Sequence, residues 1–213
     1  MHLNLTADEV LSTTRAVRKR LDFDRPVPRQ LLLECVELAV QAPTGSNRQG
    51  WHWLFVEDPA KKLALRDLYK ASFDPYISMA ASEFPADDPR TLHQDQVRSS
   101  ARYLADNFHR APVLLVPLIA GRLDGLDAFA GASSWGSILP AVWSFMLAAR
   151  ERSLGTAWTT LHLPREREAA EILGIPYQEY TQAGLFPVAY SIGTDFKPAS
   201  RVDLGPLVHW DEF

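Results

Sequence analysis

Residues Ser133–Arg150 read SSWGSILPAVWSFMLAAR. At helical spacing, Trp135, Ile138, Leu139, Val142, Trp143, Phe145, Met146 and Leu147 occupy almost every side of this stretch. A helix that is apolar nearly all round belongs at the centre of a large core or in a subunit interface, because it leaves no face for water. Upstream, Ala111–Ala120 (APVLLVPLIA) is a short continuous apolar run bounded by proline and glycine, the pattern of a strand covered on both faces.

Outward from these two segments the chain alternates helix and strand signals. Thr6 is placed to cap a helix with Asp8 and Glu9 in its first turn, and the helical pattern runs to about Leu21 before DFDRPVP breaks it. Pro28–Gln41 reads as a second helix, with Leu32, Cys35, Val36 and Ala39 on its buried face. A loop containing Pro43, Gly45, Asn47 and Gly50 leads into the strand-like WHWLFVE. Residues 60–71 and 91–109 read as helices around a polar, proline-containing stretch at 74–90, so that the region 72–95 is a candidate lid or insertion. Leu154–Thr160 reads as a strand, 164–173 as a charged amphipathic helix and Phe186–Gly193 as a further strand. With no repeat, low-complexity tract or linker, the pattern predicts one α+β domain over 1–213, helices packed around a small sheet.

Composition narrows the function. The 213 residues carry 22 Lys and Arg against 26 Asp and Glu, a formal net charge of -4, which argues against a general nucleic-acid coat and leaves room for a local basic pocket. The one cysteine, Cys35, forms neither an internal disulfide nor a thiolate metal cage, and its apolar surroundings predict a buried core thiol. The first residues, MHLNLTADEV, lack the basic start of a signal peptide, and no run reaches the length of a membrane span. These features predict a cytoplasmic protein with no membrane and no nucleic-acid partner.

No self-contained catalytic constellation is visible. G-x-S-x-G, H-E-x-x-H and G-x-x-x-x-G-K-[ST] are all missing, and the six histidines are scattered without ligand spacing, so no metal site is expected. Polar residues are instead placed to hold a ligand. Arg15, Arg18 and Lys19 crowd the stretch TTRAVRKR, where paired guanidinium hydrogen bonds suit a phosphate; the plainer reading is a solvated basic helix face. APTGSNRQGWHW joins a helix to a strand through small residues, with Asn47 and Gln49 offering donors and acceptors to a flat ligand; it is equally compatible with an ordinary connection.

Together these stretches resemble the FMN-dependent nitroreductase family. TRAVRKR and APTGSNRQGWHWLFV are similar to its two opening signatures, NFHRAPVLLVPLIAG to its middle strand, LGTAWTTLHLP to its flavin-edge segment, GIP with LFPVAYSIG to its last core strand, and RVDLGPLVHW to its arginine-containing tail. Order and spacing agree along nearly the whole chain, 72–95 excepted. The resemblance implies a three-layer fold, a central mixed or antiparallel sheet flanked by helices, with the 133–150 helix at the interface of a homodimer that builds two FMN sites.

It also implies roles. Arg15, Ala16, Val17 and Arg18 match the phosphate-side motif, Arg15 toward the phosphate and Arg18 toward the pyrimidine edge or phosphate. Arg201 matches the tail arginine. Pro43, Thr44, Gly45, Asn47 and Gln49 match the loop reaching the flavin from the partner subunit. Thr159, Thr160 and Leu161 match the segment along the isoalloxazine, the Thr160 N–H toward flavin N5, with Gly155 and Thr156 shaping the turn. The flavin N5 would carry the chemistry, so no side chain is assigned as catalytic beyond the supporting Arg18 and Thr160.

The implied activity is transfer of electrons from NADPH or NADH through FMN to a nitroaromatic, quinone or other electron-poor aromatic acceptor, with ping-pong kinetics. Alternatives on the same fold are a dehalogenase, a biosynthetic ene-type reductase, a flavin-fragmenting enzyme, or a non-catalytic flavin-sequestering protein. This chain departs from the pattern in four places. Thr14 stands where an arginine is frequent, Ala16 where a hydroxyl is frequent and Gly50 where a proline is frequent, and Trp158 with Thr159–Thr160 is bulkier and more polar than usual. Each lost neutral donor at the phosphate removes about 0.5–1.5 kcal/mol.

Overall fold

A computed structural model describes residues 2–79, 84–85 and 88–213. The run APVLLVPLIA becomes the central strand. β3 (Val113–Ala120) pairs antiparallel with β2 (Trp51–Val56) on one side and with β6 (Phe186–Ser191) on the other. The two-residue β1 (Leu21–Asp22) and β4 (Leu154–Thr156) both pair with β6, and β5 (Tyr180–Gln182) pairs with the end of β3, every ladder antiparallel. The order is β1-β6-β3-β2, with β4 and β5 beside that path.

Side chains along β3 alternate between two cores, as the two-residue period of a strand requires. Leu114, Val116 and Leu118 face α3 (Pro59–Ser78), α4 (Pro89–Asn107) and α6 (Glu166–Leu173), meeting Leu65, Phe73, Leu104 and Ala170. Val113, Leu115 and Ile119 face α2 (Arg29–Ala39) and α5 (Ala128–Glu151), meeting Leu32, Cys35, Ile138 and Phe145. Helices, sheet and helices form three layers, which is why β3 reads as unbroken apolar sequence. Cys35 is fully buried, and burial pushes its thiol up to about 12, so it is an inert core group.

Several sequence boundaries move. α1 (Ala7–Thr13) begins as expected, with Thr6 and Glu9 forming a reciprocal capping box, but it stops eight residues short of Leu21. Thr13 and Thr14 turn their hydroxyls back onto the carbonyls of Glu9 and Val10, at 2.6 and 2.7 Å, and Thr14 is extended. Residues 15–18 then leave the helix because Ala16 and Val17 pair with Thr156, so tertiary pairing overrides a helical pattern here. Arg15 and Arg18 therefore flank a bridged, non-helical segment and the exposed Lys19 sits in the turn after it, so the helix of the solvated-face reading does not form.

The strand expected over Leu154–Thr160 forms a ladder only through Thr156, and Thr159 rejoins by a single bridge to Leu185. α3 runs through Pro75 to Ser78, anchored by the buried Phe73 and Ile77, and so takes in the first part of the 74–90 stretch. Ala80–Glu83, Ala86 and Asp87, within the expected lid, lie outside the described residues.

α5 is longer than the apolar run that announced it, since Asp127 caps it by accepting from the Ala130 N–H at 2.7 Å. It is also not buried all round. Ile138, Ala141, Val142, Phe145 and Ala149 are buried, whereas Phe129, Gly136, Pro140 and Trp143 form an exposed stripe at helical spacing.

Candidate functional site

The segment Arg15–Arg18 is fixed by its middle. Val17 donates its N–H to the Thr156 carbonyl at 2.8 Å, and its side chain packs where residue 155 has no Cβ. With Val17 buried, the flanking arginines turn into a cleft of about 1280 Å³. One wall is Arg15–Arg20, a second is the tail at 196–202, which brings in Arg201, and the third is the end of α3 with α4. Arg15, Ala16, Val17, Arg18 and Arg201, far apart in sequence, thus share one cavity.

Its electrostatics are unusual for a chain of net charge -4. Arg15 donates from Nη2 to the Lys197 carbonyl, while its buried Nε has no partner among the described residues. Burial and then the charge of Arg201 both pull the Arg15 guanidinium below the usual arginine range. Arg18 is lowered chiefly by burial, and its contact is Ser100 Oγ at 3.4 Å. Among the described residues, Arg201 donates to the carbonyl of Ser200, at 3.0 Å. None of the three has a carboxylate partner among the described residues. Arginines brought together without counter-charge form a site for an anion.

The departures from the family pattern have structural readings. The Thr14 hydroxyl is committed to Val10 within α1 and is not free for the cleft. Ala16 is exposed on the cleft and offers no hydroxyl.

The tail reaches the cleft because arginines hold it. Arg20 donates from Nε to the Ile192 carbonyl at 2.7 Å and pairs with Asp195 at 2.5 Å. The buried Arg150 donates to the Thr194 carbonyl at 3.0 Å, and both guanidiniums contact the Phe196 ring, at 4.3 and 4.9 Å. Arg20 and Arg150 were not singled out in the sequence. The first closes the basic stretch TTRAVRKR, but nothing local marks the second.

The flavin-edge segment follows β4 directly. Thr159 exchanges backbone hydrogen bonds with Leu185, 3.2 and 2.9 Å, and the Trp158 indole donates to the Ala183 carbonyl at 3.2 Å. Thr160 is exposed, its carbonyl accepts from Leu163, and no described group accepts from its N–H. His162, two residues on, is fully buried; desolvation lowers its pKa to about 4, and neither ring nitrogen has a hydrogen-bond partner of good geometry. Thr159, Thr160 and Leu161 do not line the arginine cleft, although Thr156 ties their strand to it.

Pro43–Gln49 lies elsewhere in the chain, docked on α5. Gly45 donates to Ser137 Oγ at 3.0 Å, and a Cβ there would collide with Ser133 Oγ. Ser46, Asn47 and Gln49 all have positive φ, near 50°, an uncommon backbone region for residues with side chains. Gln49 Nε2 donates to Asn47 Oδ1 at 2.9 Å, and its N–H to Thr44 Oγ1 at 3.2 Å. This loop does not meet the cleft of its own chain.

The third wall holds residues that sequence reasoning left unassigned. Tyr76, Phe84, Arg90, His93 and Arg98 line it. Their common signal, aromatic and basic residues around the stretch read as a lid, is visible in sequence only as composition. Among the described residues no three His, Cys, Asp or Glu side chains group as metal ligands, and no helix is long and apolar enough to cross a membrane.

The architecture is an antiparallel sheet between two helical layers, with a cleft lined by Arg15, Arg18 and Arg201 beside β4. The chain belongs to the Nitroreductase family, whose model matches residues 11–190. A curated NADH dehydrogenase of Thermus thermophilus is 44% identical over 62 residues, 27% of this chain and 30% of that protein, so the chain matches less than a third of that relative's length. Among solved structures, an iodotyrosine deiodinase bound to FMN and 3-iodo-L-tyrosine superposes with a TM-score of 0.71 at 24% identity, covering 95% of this chain and 98% of that one. An FMN and NADPH-dependent nitroreductase from Sphigopyxis sp. strain HMH does so at 0.71 and 21% identity, covering 98% and 100%. At these identities the likeness concerns the fold.

Proposed function

We propose that this chain is an FMN-dependent oxidoreductase that takes electrons from NADPH or NADH and delivers them to nitroaromatic, quinone or other electron-poor acceptors by a ping-pong route. The observation that carries this reading is the arginine cleft beside β4: Arg15 has an unpartnered buried Nε and faces Arg201 with no carboxylate between them among the described residues. That donor set fits a phosphomonoester. Bound FMN supplies the hydride-accepting ring that the side chains of this protein lack.

The chain's own residues position it. Arg15 and Arg201 hold the phosphate, and Val17, pinned to Thr156, sets the depth of that grip. Arg18, partly withdrawn from water, would stabilise negative charge at the pyrimidine edge of a bound flavin. The Thr160 N–H, which has no acceptor among the described residues and is oriented by the Thr159–Leu185 pair, would be the donor toward flavin N5.

The assembly is a homodimer. The exposed α5 stripe of Phe129, Gly136, Pro140 and Trp143 supports this, since an apolar helix face of that length is costly in water. Pro43, Thr44, Gly45, Asn47 and Gln49 then serve the partner's flavin, consistent with their distance from the cleft of their own subunit. On this reading the protein works in the cytoplasm, and the whole of 1–213 acts as one domain.

The test is the visible spectrum of the purified protein followed by anaerobic addition of NADH and then NADPH. A yellow protein that bleaches is the expected result. A yellow protein that ignores both donors is a flavin-sequestering protein or a specialised enzyme with another electron source. A colourless one that also fails to take up added FMN overturns the flavin reading.

A further inference from the structure

Beyond Ile192, the tail that supplies Arg201 is held by side chains of the body. The Ile192 N–H donates to the Arg20 carbonyl at 2.8 Å. From Gly193 to Asp203 no further backbone-to-backbone hydrogen bond forms among the described residues. Three arginines take over. Arg20 donates to the Ile192 carbonyl and pairs with Asp195, Arg150 donates to the Thr194 carbonyl, and Arg15 donates to the Lys197 carbonyl. Phe196 carries the guanidiniums of Arg20 and Arg150 on its ring and packs against the core.

Gly193 belongs to the same arrangement. Its φ is +74°, and a Cβ there would stand 2.5 Å from Arg20 Nη2 and 3.2 Å from Asp195 Oδ1. The bare position gives the chain its turn and leaves room for the Arg20–Asp195 pair to close.

Arg15 is common to the tail and the cleft. Its Nη2 is spent on the Lys197 carbonyl, and its buried Nε has no partner among the described residues. On the proposed function, on which this inference rests, the same guanidinium grips the phosphate together with Arg201. Without an anion the two arginines repel one another, and a phosphate between them turns that repulsion into two attractions.

We infer that residues 192–202 form a strap that clasps the cofactor's phosphate, and that Arg20 is the positioning residue of the clasp, acting through Arg201 to set how long FMN stays bound. Lifting the strap takes Arg201 from the phosphate and frees Arg15 from Lys197 in one movement.

Release of FMN from the loaded protein, followed by the return of flavin fluorescence on dilution, tests this beside trypsin cleavage at the Arg201–Val202 bond. Arg20→Gln should release FMN about tenfold faster, the low end for a hydrogen bond to a charged group. Riboflavin, which has no phosphate, should leave at an unchanged rate. Asp195→Ala removes an exposed ion pair and should speed FMN release about two- to fivefold, which decides the matter if Arg20→Gln does not fold. Beside Arg201→Ala both effects should vanish, because the strap then brings no cation to the phosphate. Bound FMN should slow cleavage at Arg201–Val202, and both variants without flavin should be cut faster than the parent.

FMN release at the parent's rate in both variants, equal acceleration for riboflavin, or an effect that survives in full beside Arg201→Ala overturns the inference. A colourless protein that takes up no FMN strikes the flavin reading and this inference with it. A yellow protein that bleaches, but whose FMN release ignores both variants, strikes the inference alone.

Discussion

Gly155 makes room for Val17: a Cβ at position 155 would stand 2.9 Å from the Val17 Cβ and Cγ1 and 2.8 Å from Ser191 Oγ. The extended segment 15–18 lies against β4 only because that position is bare. Gly155→Ala must therefore push Val17 outward, or twist β4, and move both flanking arginines. Overpacking of this kind costs about 1–3 kcal/mol. The expected outcome is a lower thermal midpoint together with at least about tenfold weaker FMN binding, read by flavin fluorescence. Unchanged FMN affinity in a destabilised protein would separate the packing from the site.

Arg15 and Arg201 repel one another in the absence of a counter-anion. Arg15→Ala and Arg201→Ala should each weaken FMN by about ten- to a hundredfold, the range of a charged hydrogen bond, and leave riboflavin, which has no phosphate, nearly unaffected. Equal losses for the two flavins would place these arginines away from the phosphate.

Arg18→Ala separates the pyrimidine edge from the phosphate. A cation at that edge favours the reduced ring, so its loss should lower the flavin midpoint potential and slow anaerobic reduction by NAD(P)H. Redox titration against a reference dye and stopped-flow absorbance measure the two effects. Neither changing would remove Arg18 from the site.

His162 ties stability to acid. Its pKa is held at about 4 by burial, against about 6.5 in an unfolded chain. As the pH falls from 6.5 toward 4, the unfolded chain takes up a proton that the folded protein declines, so the folded state loses stability, by roughly 3 kcal/mol in full. Urea unfolding midpoints should drop between neutral and mildly acidic pH. His162→Leu should flatten that slope, and an identical slope would assign the acid sensitivity to other groups.

Trp143, at the edge of exposure on α5, tests the dimer. Trp143→Glu places a charge on the apolar stripe and should shift sedimentation toward the monomer. FMN affinity should fall with it, because the loop at 43–49 no longer reaches the partner's flavin. A monomeric variant with full flavin affinity would show the site to be complete within one chain.

Much of the layering was legible in the chain itself. A run such as APVLLVPLIA, eight of whose residues form β3, is apolar throughout because both its faces are covered, and the short-range signals around Thr6 set the start of α1. Cys35 could be read as a core thiol from its apolar neighbours. These features depend on periodicity and capping, which are local properties of sequence.

The site was legible only in part, as a set of basic and small residues with no visible reason to meet. That Arg15 and Arg18 lie on extended chain rather than on a helix was decided by Val17 and Thr156, residues 139 positions apart joined by a 2.8 Å hydrogen bond. That Arg201 arrives beside them depends on Arg20 and Arg150 holding carbonyls of the tail. The wall carrying Arg98 owes its place to the packing of α4 against α3. Sequence by itself determined the central strand, the start of α1 and the buried face of α2, because burial and capping leave a local pattern. Tertiary structure alone decided which charges face each other, because contacts between distant segments leave no period to read.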